Sequence, residues 1–223
     1  MAITVLVIGA SRGIGLEFVR QYLEAGARVI ATARDDAGLE RLRELGAEPL
    51  RLNVADPASV SGLAWSLDGQ EIDVALYVAG VYDAGDAQTP PTREAFDRVM
   101  HTNVLGAMQA MPQVLPVVEA ARGVFGVLSS GMSQIGDVSA SNAWLYRVSK
   151  AALNMALASA RHSYPAATCV ALDPGWVRTD MGGDSAPLTA ERSVADLRRT
   201  IAALTPDDNG HLIHRDGRRA ATW

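Results

Sequence analysis

The chain has 223 residues, 48% of them hydrophobic, which is enough for one sizeable core; a single domain is expected rather than two small ones. Its 25 Asp and Glu outnumber 20 Lys and Arg for a formal charge of −5, and the cations never form a run. This excludes a basic field for nucleic acid or an anionic membrane and leaves a small soluble molecule as the expected partner. The single cysteine, Cys169, lies in an apolar run and reads as a small buried hydrophobe in a reducing compartment.

In chain order, Ile3 to Ile8 is a short β-branched run that breaks at Gly9, the pattern of a strand buried on both faces. With no basic leader or cleavage site before it and no apolar window of about 18 residues, a cytoplasmic location is expected. Ile14, Phe18, Val19, Tyr22 and Leu23 then recur at helical spacing up to a stop at Gly26. The cycle repeats with strand Arg28 to Ala33, helix Gly38 to Leu45 before Gly46, strand Pro49 to Leu52, and a helix opened by Asp56 with Pro57 at its first position. Strand Ile72 to Val78 follows, then a helical stretch from Thr92 to Ala121 expected to be interrupted at Asn103 to Gly106 and again by Pro112 and Pro116. Strand Val124 to Ser129, helix Trp144 to His162 and strand Ala167 to Asp173 come next. The last part holds a loop from Pro174 to Pro187, a helix with Val194, Leu197, Ile201 and Leu204 on one face, and a short strand His211 to His214. Each parallel pair needs a crossover, so this alternation predicts an α/β fold: a Rossmann-type, doubly wound parallel sheet in one domain over residues 1–223, with a short substrate loop and helix at about 174–204.

Two places carry chemistry. Gly9-Ala10-Ser11-Arg12-Gly13-Ile14-Gly15 joins the first strand to the first helix, where unpaired N–H groups and the positive helix end face an anion. Its glycines allow a tight turn, close approach of backbone to a pyrophosphate, and close packing of helix on sheet. Tyr146 and Lys150 lie four apart at a helix start and project from one face. Bringing a phenol from a pKa of about 10 to about 7 takes roughly 4 kcal/mol, to which a neighbouring ammonium and an oxidised nicotinamide can contribute. Tyr146 then serves as general acid toward a carbonyl or base toward an alcohol. Ser130 ends the fifth strand at the carboxyl edge, where it can donate to a substrate oxygen; Ser129 and Ser133 are rivals. Asn103 sits where the helical pattern breaks, so its side chain or freed backbone is a candidate to hold a water beside Lys150.

With these residues assembled, the chain resembles the short-chain dehydrogenase/reductase family from Ile3 to about Gly217, in particular its carbonyl-reductase-like branch that includes the C-factor and sniffer proteins. The resembling pieces are GASRGIG at 9, Asn53-Val54, Ala79-Gly80, Asn103, Ser130, YRVSK at 146 and DPGWVRTDMGG at 173. The resemblance implies a tetrad of Asn103, Ser130, Tyr146 and Lys150, with Lys150 also holding the nicotinamide ribose. It implies further that Asn53 and Val54 flank the adenine, that Ala79 and Gly80 back the ribose, and that Pro174, Gly175, Val177 and Thr179 position the carboxamide. Ile8 and Tyr77-Val78 depart from the family's Thr and Asn-Asn, so apolar packing is expected to brace the central sheet there.

NADP(H) is expected in preference to NAD(H), because the end of the second strand reads Ala33-Arg34 where NAD-selective folds carry a carboxylate. Arg34 and Arg12 supply guanidiniums for a 2′-phosphate; Arg34 is expected to point inward, and Asp35 and Asp36 outward at a helix start. Met132, Ile135, Trp144, Trp176 and Met181 in the edge loops suggest an apolar or aromatic carbonyl or alcohol substrate. His211 and His214 read as ordinary strand and turn residues. Alanine-rich Ala151 to Ala160 and apolar Ala107 to Ala121 suggest a homo-oligomer, most simply a dimer. The competing reading is a non-catalytic NADP(H)-binding signalling or regulatory protein, against which the intact Tyr146/Lys150 pair argues; an enoyl reductase or epimerase is a third.

Overall fold

The computed structural model of the chain describes residues 2–223. Short, largely buried apolar runs become β1 (Thr4–Ile8), β2 (Arg28–Ala33), β4 (Val74–Tyr77), β5 (Val124–Leu128), β6 (Thr168–Asp173) and β9 (Leu212–His214), while the more exposed Glu-Pro-Leu-Arg run forms β3 (Glu48–Arg51) at the sheet edge. They form one sheet in the order β3-β2-β1-β4-β5-β6-β9, parallel throughout. Between them run α1 (Gly13–Glu24), α2 (Asp36–Glu44), α3 (Pro57–Ser61), α4 (Leu63–Ser66), α5 (Arg93–Met100), α6 (Gly106–Ala120), α7 (Trp144–Ala160) and α8 (Ala190–Ala203). A two-stranded ribbon, β7 (Val177–Arg178) with β8 (Leu188–Thr189), fastens the ends of the loop before α8, which had read as a plain connection.

Successive strand residues feed opposite faces. Val5 and Val7 pack with Phe18 and Val19 of α1, Leu42 of α2 and Val194, Leu197 and Ile201 of α8, whereas Leu6 and Ile8 pack with Val60, Leu63, Val114, Leu115 and Leu153 from α3, α4, α6 and α7. This is a single α/β domain with helices on both sides of a parallel sheet. The expected element ends move by one or two residues; α2, for one, starts at Asp36 because Asp35 accepts from the Gly38 N–H at 2.8 Å and caps it. Cys169 is free and fully buried. Among the described residues, no helix is long and apolar enough to cross a membrane.

Two expectations need correction. Pro112 and Pro116 do not interrupt their helix: α6 runs through both, although each proline removes a backbone donor at a cost of about 3 kcal/mol. Its face of Ala107, Ala110, Val114, Leu115 and Val118 is wholly buried, and that burial offsets the loss. The central sheet is also not braced by apolar packing alone. The Tyr77 hydroxyl, fully buried, donates to the Thr102 carbonyl at 2.7 Å, and the Thr32 hydroxyl accepts from the Gly9 N–H at 3.0 Å. The expected break near Asn103 is a single π-helical turn, His101–Leu105, between α5 and α6.

Candidate active site

The glycine turn and the strand ends that face it make the floor of a cleft at the carboxyl edge of β1 and β4, where the strand order reverses. Gly9 has φ +89°, and a methyl group there would stand 2.6 Å from the Ala79 nitrogen; one on Gly15 would stand 2.2 Å from the Gly9 carbonyl oxygen. Both positions therefore require glycine. Gly13 faces only the Thr179 methyl, at 3.5 Å from such an added group, so Ser11, Arg12, Gly13 and Ile14 form an open cradle under the loop that carries Thr179. No side chain caps α1 and its first turn holds no acid, whereas α2, α3, α5 and α8 are capped by Asp35, Asp56, Thr92 and Thr189. The free N–H groups of α1 fit an anionic phosphate.

Around this cradle, Asn53 and Val54 follow β3. Asn53 accepts from the Ala55 N–H at 3.2 Å in a tight turn, and Val54 is nearly buried. Pro174 and Gly175 follow β6, and the Pro174 carbonyl accepts from Ser193 at 2.8 Å; Val177 is buried in β7, and Thr179 accepts from the Gly182 N–H at 3.2 Å. Arg12 pairs with Asp180 at 2.8 Å, a link from cradle to loop that sequence reasoning missed because 168 residues separate the partners. Arg34 does not point inward: its side chain is 75% exposed, 3.8 Å from Asp35. Arg41, also missed, donates to the Ser11 carbonyl at 2.6 Å, placing a third guanidinium beside the turn.

At the other end of the cleft, α7 presents Tyr146 and Lys150, both buried. The Tyr146 hydroxyl lies close to that of Ser130, which accepts from the Met132 N–H at 3.1 Å, and the Tyr82 ring packs edge-on at 5.0 Å between centroids. The Lys150 Nζ donates to the Leu128 carbonyl at 2.7 Å and lies 5.6 Å from the centre of the Tyr146 ring. Burial pushes the Lys150 ammonium down to about 8. Burial also raises Tyr146, against the nearby Ser130 hydroxyl that favours the phenolate, so the chain by itself holds the phenol protonated rather than near neutrality. The rival serines have other partners: Ser129 donates to Asn154 Oδ1 at 2.6 Å, and Ser133 donates to the Ser130 carbonyl at 2.7 Å while accepting from Asn154 Nδ2 at 2.8 Å. Asn154, unnoticed in the sequence, thus fixes the loop that aims Ser130 at Tyr146. Asn103 is fully buried, and its side chain is consumed in accepting from the Val81 N–H and donating to the Val81 carbonyl and Ser149, at 2.8, 2.9 and 2.9 Å. That removes its carboxamide as a water ligand and leaves the π-turn backbone. A methyl on Gly80 would stand 3.5 Å from the Lys150 Nζ, so Gly80 leaves the approach to the ammonium clear.

The mouth is apolar. Ile135, Val138, Trp144, Trp176 and Met181 are exposed around it, and the Trp223 carbonyl accepts from the Ile135 N–H at 3.3 Å. His214 is paired with Asp173 at 2.9 Å.

Residues 3–188 match the short chain dehydrogenase family. A 1-hydroxy-2-glutathionyl-2-methyl-3-butene dehydrogenase of Rhodococcus sp. is 32% identical over 96% of this chain and 97% of its own. A Burkholderia multivorans structure described as a short-chain dehydrogenase/reductase with bound NADP superposes with a TM-score of 0.89 at 31% identity, covering 100% of both chains. The carbonyl reductase Sniffer of D. melanogaster does so with a TM-score of 0.90 at 27% identity, again over 100% of both.

Proposed function

The chain belongs to the short-chain dehydrogenase/reductase family of oxidoreductases, and from that premise we propose that it interconverts a carbonyl compound and its alcohol with NADP(H), using Tyr146 as the general acid and base. The observation that carries this reading is the buried Tyr146, close to Ser130 and beside the buried Lys150, at the end of a cleft that begins in an uncapped phosphate cradle. When bound, the nicotinamide supplies or accepts the hydride. The chain's own residues handle the proton and the charge. In reduction the Tyr146 O–H bond breaks and its proton goes to the carbonyl oxygen, while Ser130 donates to that oxygen as negative charge develops there. Lys150 holds a positive charge under the phenol and faces the ribose, and Asn103 fixes α7 against the Val81 segment. Gly9, Ser11, Arg12, Gly13, Ile14 and Gly15 cradle the pyrophosphate, with Asn53 and Val54 at the adenine, Ala79 and Gly80 behind the ribose, and Pro174, Gly175, Val177 and Thr179 at the carboxamide. Arg34 and Arg12 take the 2′-phosphate; Arg12 reaches it by leaving Asp180.

The apolar mouth favours a bulky apolar or aromatic carbonyl substrate, received by the loop and helix at 174–204 within the one functional unit of residues 1–223. The working protein is a homodimer. A screen of aldehydes, diketones and quinones, following NADPH absorbance, finds the substrate class, and Tyr146→Phe tests the mechanism: it keeps cofactor binding and loses turnover by at least a hundredfold, the usual scale of general acid–base catalysis. Comparable turnover in the variant would overturn the assignment and favour a cofactor-binding regulatory protein instead.

A further inference from the structure

Asp173 ends β6 at the carboxyl edge, with 14% of its side chain exposed. Its Oδ1 accepts from the Gly175 N–H at 3.1 Å, and its Oδ2 meets His214 Nδ1 at 2.9 Å. The carboxylate lies against the loop that presents Ser130, since a methyl group on Gly131 would be 3.3 Å from Oδ2. One residue back along that loop is Ser130, and α7, which carries Tyr146, is tied to the same turn by Asn154, whose Nδ2 donates to the Ser133 hydroxyl at 2.8 Å. Among the described residues no arginine or lysine is within ion-pair distance of Asp173. Three guanidiniums are close by in the fold, yet Arg192, Arg199 and Arg215 all converge on Asp196, although Arg215 directly follows His214. The charge of Asp173 thus stands against the loop that presents Ser130, with an imidazole as its one side-chain partner and the Gly175 N–H on its other oxygen.

We propose that Asp173 is a positioning residue that acts through Tyr146: its negative charge opposes the phenolate and sets the site to give a proton to a carbonyl rather than to take one from an alcohol. This rests on Tyr146 being the proton donor. The other groups around the phenol are the same with and without the Asp173 charge: Lys150 of α7 keeps its positive charge under the ring while donating to the Leu128 carbonyl, Tyr82 is a neutral ring, Arg98 of α5 is drawn off to Asp83 at 3.6 Å, and His101 of the π-helical turn is exposed. Around the carboxylate, His214 is flanked by Asp216, which is itself tied to Arg218 at 3.0 Å, and Arg219 is held by Asp208 at 2.7 Å. Burial contributes most to holding Tyr146 protonated, and Asp173 adds to it in the same direction.

Asp173→Asn keeps an oxygen for the Gly175 N–H, so the turn survives while the charge goes. In the protein saturated with NADP+, the ionisation of Tyr146 is read from the ultraviolet phenolate absorbance lost in Tyr146→Phe, with no substrate required. In Asp173→Asn, compared with its own Tyr146→Phe double variant, the midpoint falls by roughly one pH unit, the scale of one charge acting across a partly screened gap. A Tyr146 signal present in the variant and absent from the native protein over the same pH range has the same meaning. With a carbonyl compound that the NADPH screen shows to be reduced, the alkaline loss of turnover shifts down by the same interval. His214→Asn leaves the carboxylate in place and does not lower the midpoint. An unchanged midpoint in Asp173→Asn, or an equal fall in His214→Asn, overturns the proposal. Turnover persisting in Tyr146→Phe defeats the proton-donor reading instead, and the titration separates the two failures.

Discussion

Arg34 extends from the end of β2 into solvent, and the two acids that follow it are already engaged. Asp35 caps α2, and Asp36 pairs with Arg51 across the edge of the sheet. Asp35 caps with one oxygen and holds the other 3.8 Å from Arg34 in an exposed pair, which Arg34 leaves to meet a phosphate, with Arg41 beside the glycine turn. A charge-assisted hydrogen bond contributes about 1.5–3 kcal/mol, so Arg34→Ala should weaken NADPH binding roughly tenfold to a hundredfold and leave NADH nearly unchanged. Fluorescence titration with both cofactors checks this; equal losses would make Arg34 a structural residue, and a native preference for NADH would overturn the NADP(H) assignment. The residues proposed to react stood out in the sequence because the proposed chemistry limits their type and spacing. Their supports did not. Asn154, Asp180 and His214 act on Ser129 and Ser133, Arg12 and Asp173 across 21 to 168 residues, and no local pattern records which distant polar groups will meet.

The π-helical turn between α5 and α6 carries Asn103 and is held from the sheet. Tyr77, in the middle of the parallel layer, reaches across with its hydroxyl to the Thr102 carbonyl, and Gly106 gives it room: a methyl there would stand 2.7 Å from that hydroxyl and 2.5 Å from the Val54 carbonyl oxygen. Asn103 follows Thr102 and pins the Val81 segment, so the strand, the turn and α7 form one connected unit. Tyr77→Phe keeps the ring and leaves the Thr102 carbonyl unpaired, which should cost about 1–3 kcal/mol of stability by urea unfolding, with kcat falling more than KM rises. Unchanged stability would show that water replaces the hydroxyl without loss. The strands were legible as elements because a parallel sheet covered on both faces demands short unbroken apolar runs, as in Val5 to Ile8 and Cys169 to Leu172. The interior prolines of α6 misled for the opposite reason. Their local penalty is written in the sequence, but the buried face that outweighs it exists only once the helix is docked.

At the scale of the whole molecule, one side of the sheet is finished and the other is not. On the finished side α1 and α8 pack against each other over the sheet, and their outer faces are charged. On the opposite side α6 and α7 bury their inner faces, yet between their outer faces lies a groove of about 610 Å³ whose lining includes Met108, Met111, Ala152, Met155 and Ala156. Met108 is 52% exposed and Met155 68%, with Val148 and Leu105 continuing the apolar strip. A second copy offering the same face by a two-fold rotation would cover it with a self-complementary contact, and the small Ala152 and Ala156 would let two helices approach closely. Light scattering at micromolar concentration should therefore return twice the 23.6 kDa chain mass. Met155→Glu places an acid in the middle of the strip and should return a single chain mass, with a folded circular dichroism spectrum, because the side chain buries little in the protomer. The cleft lies at the carboxyl edge of the sheet, away from the groove, so cofactor binding should persist in that monomer. A native protein that scatters as one chain would remove the dimer and leave the groove as a surface of the monomer.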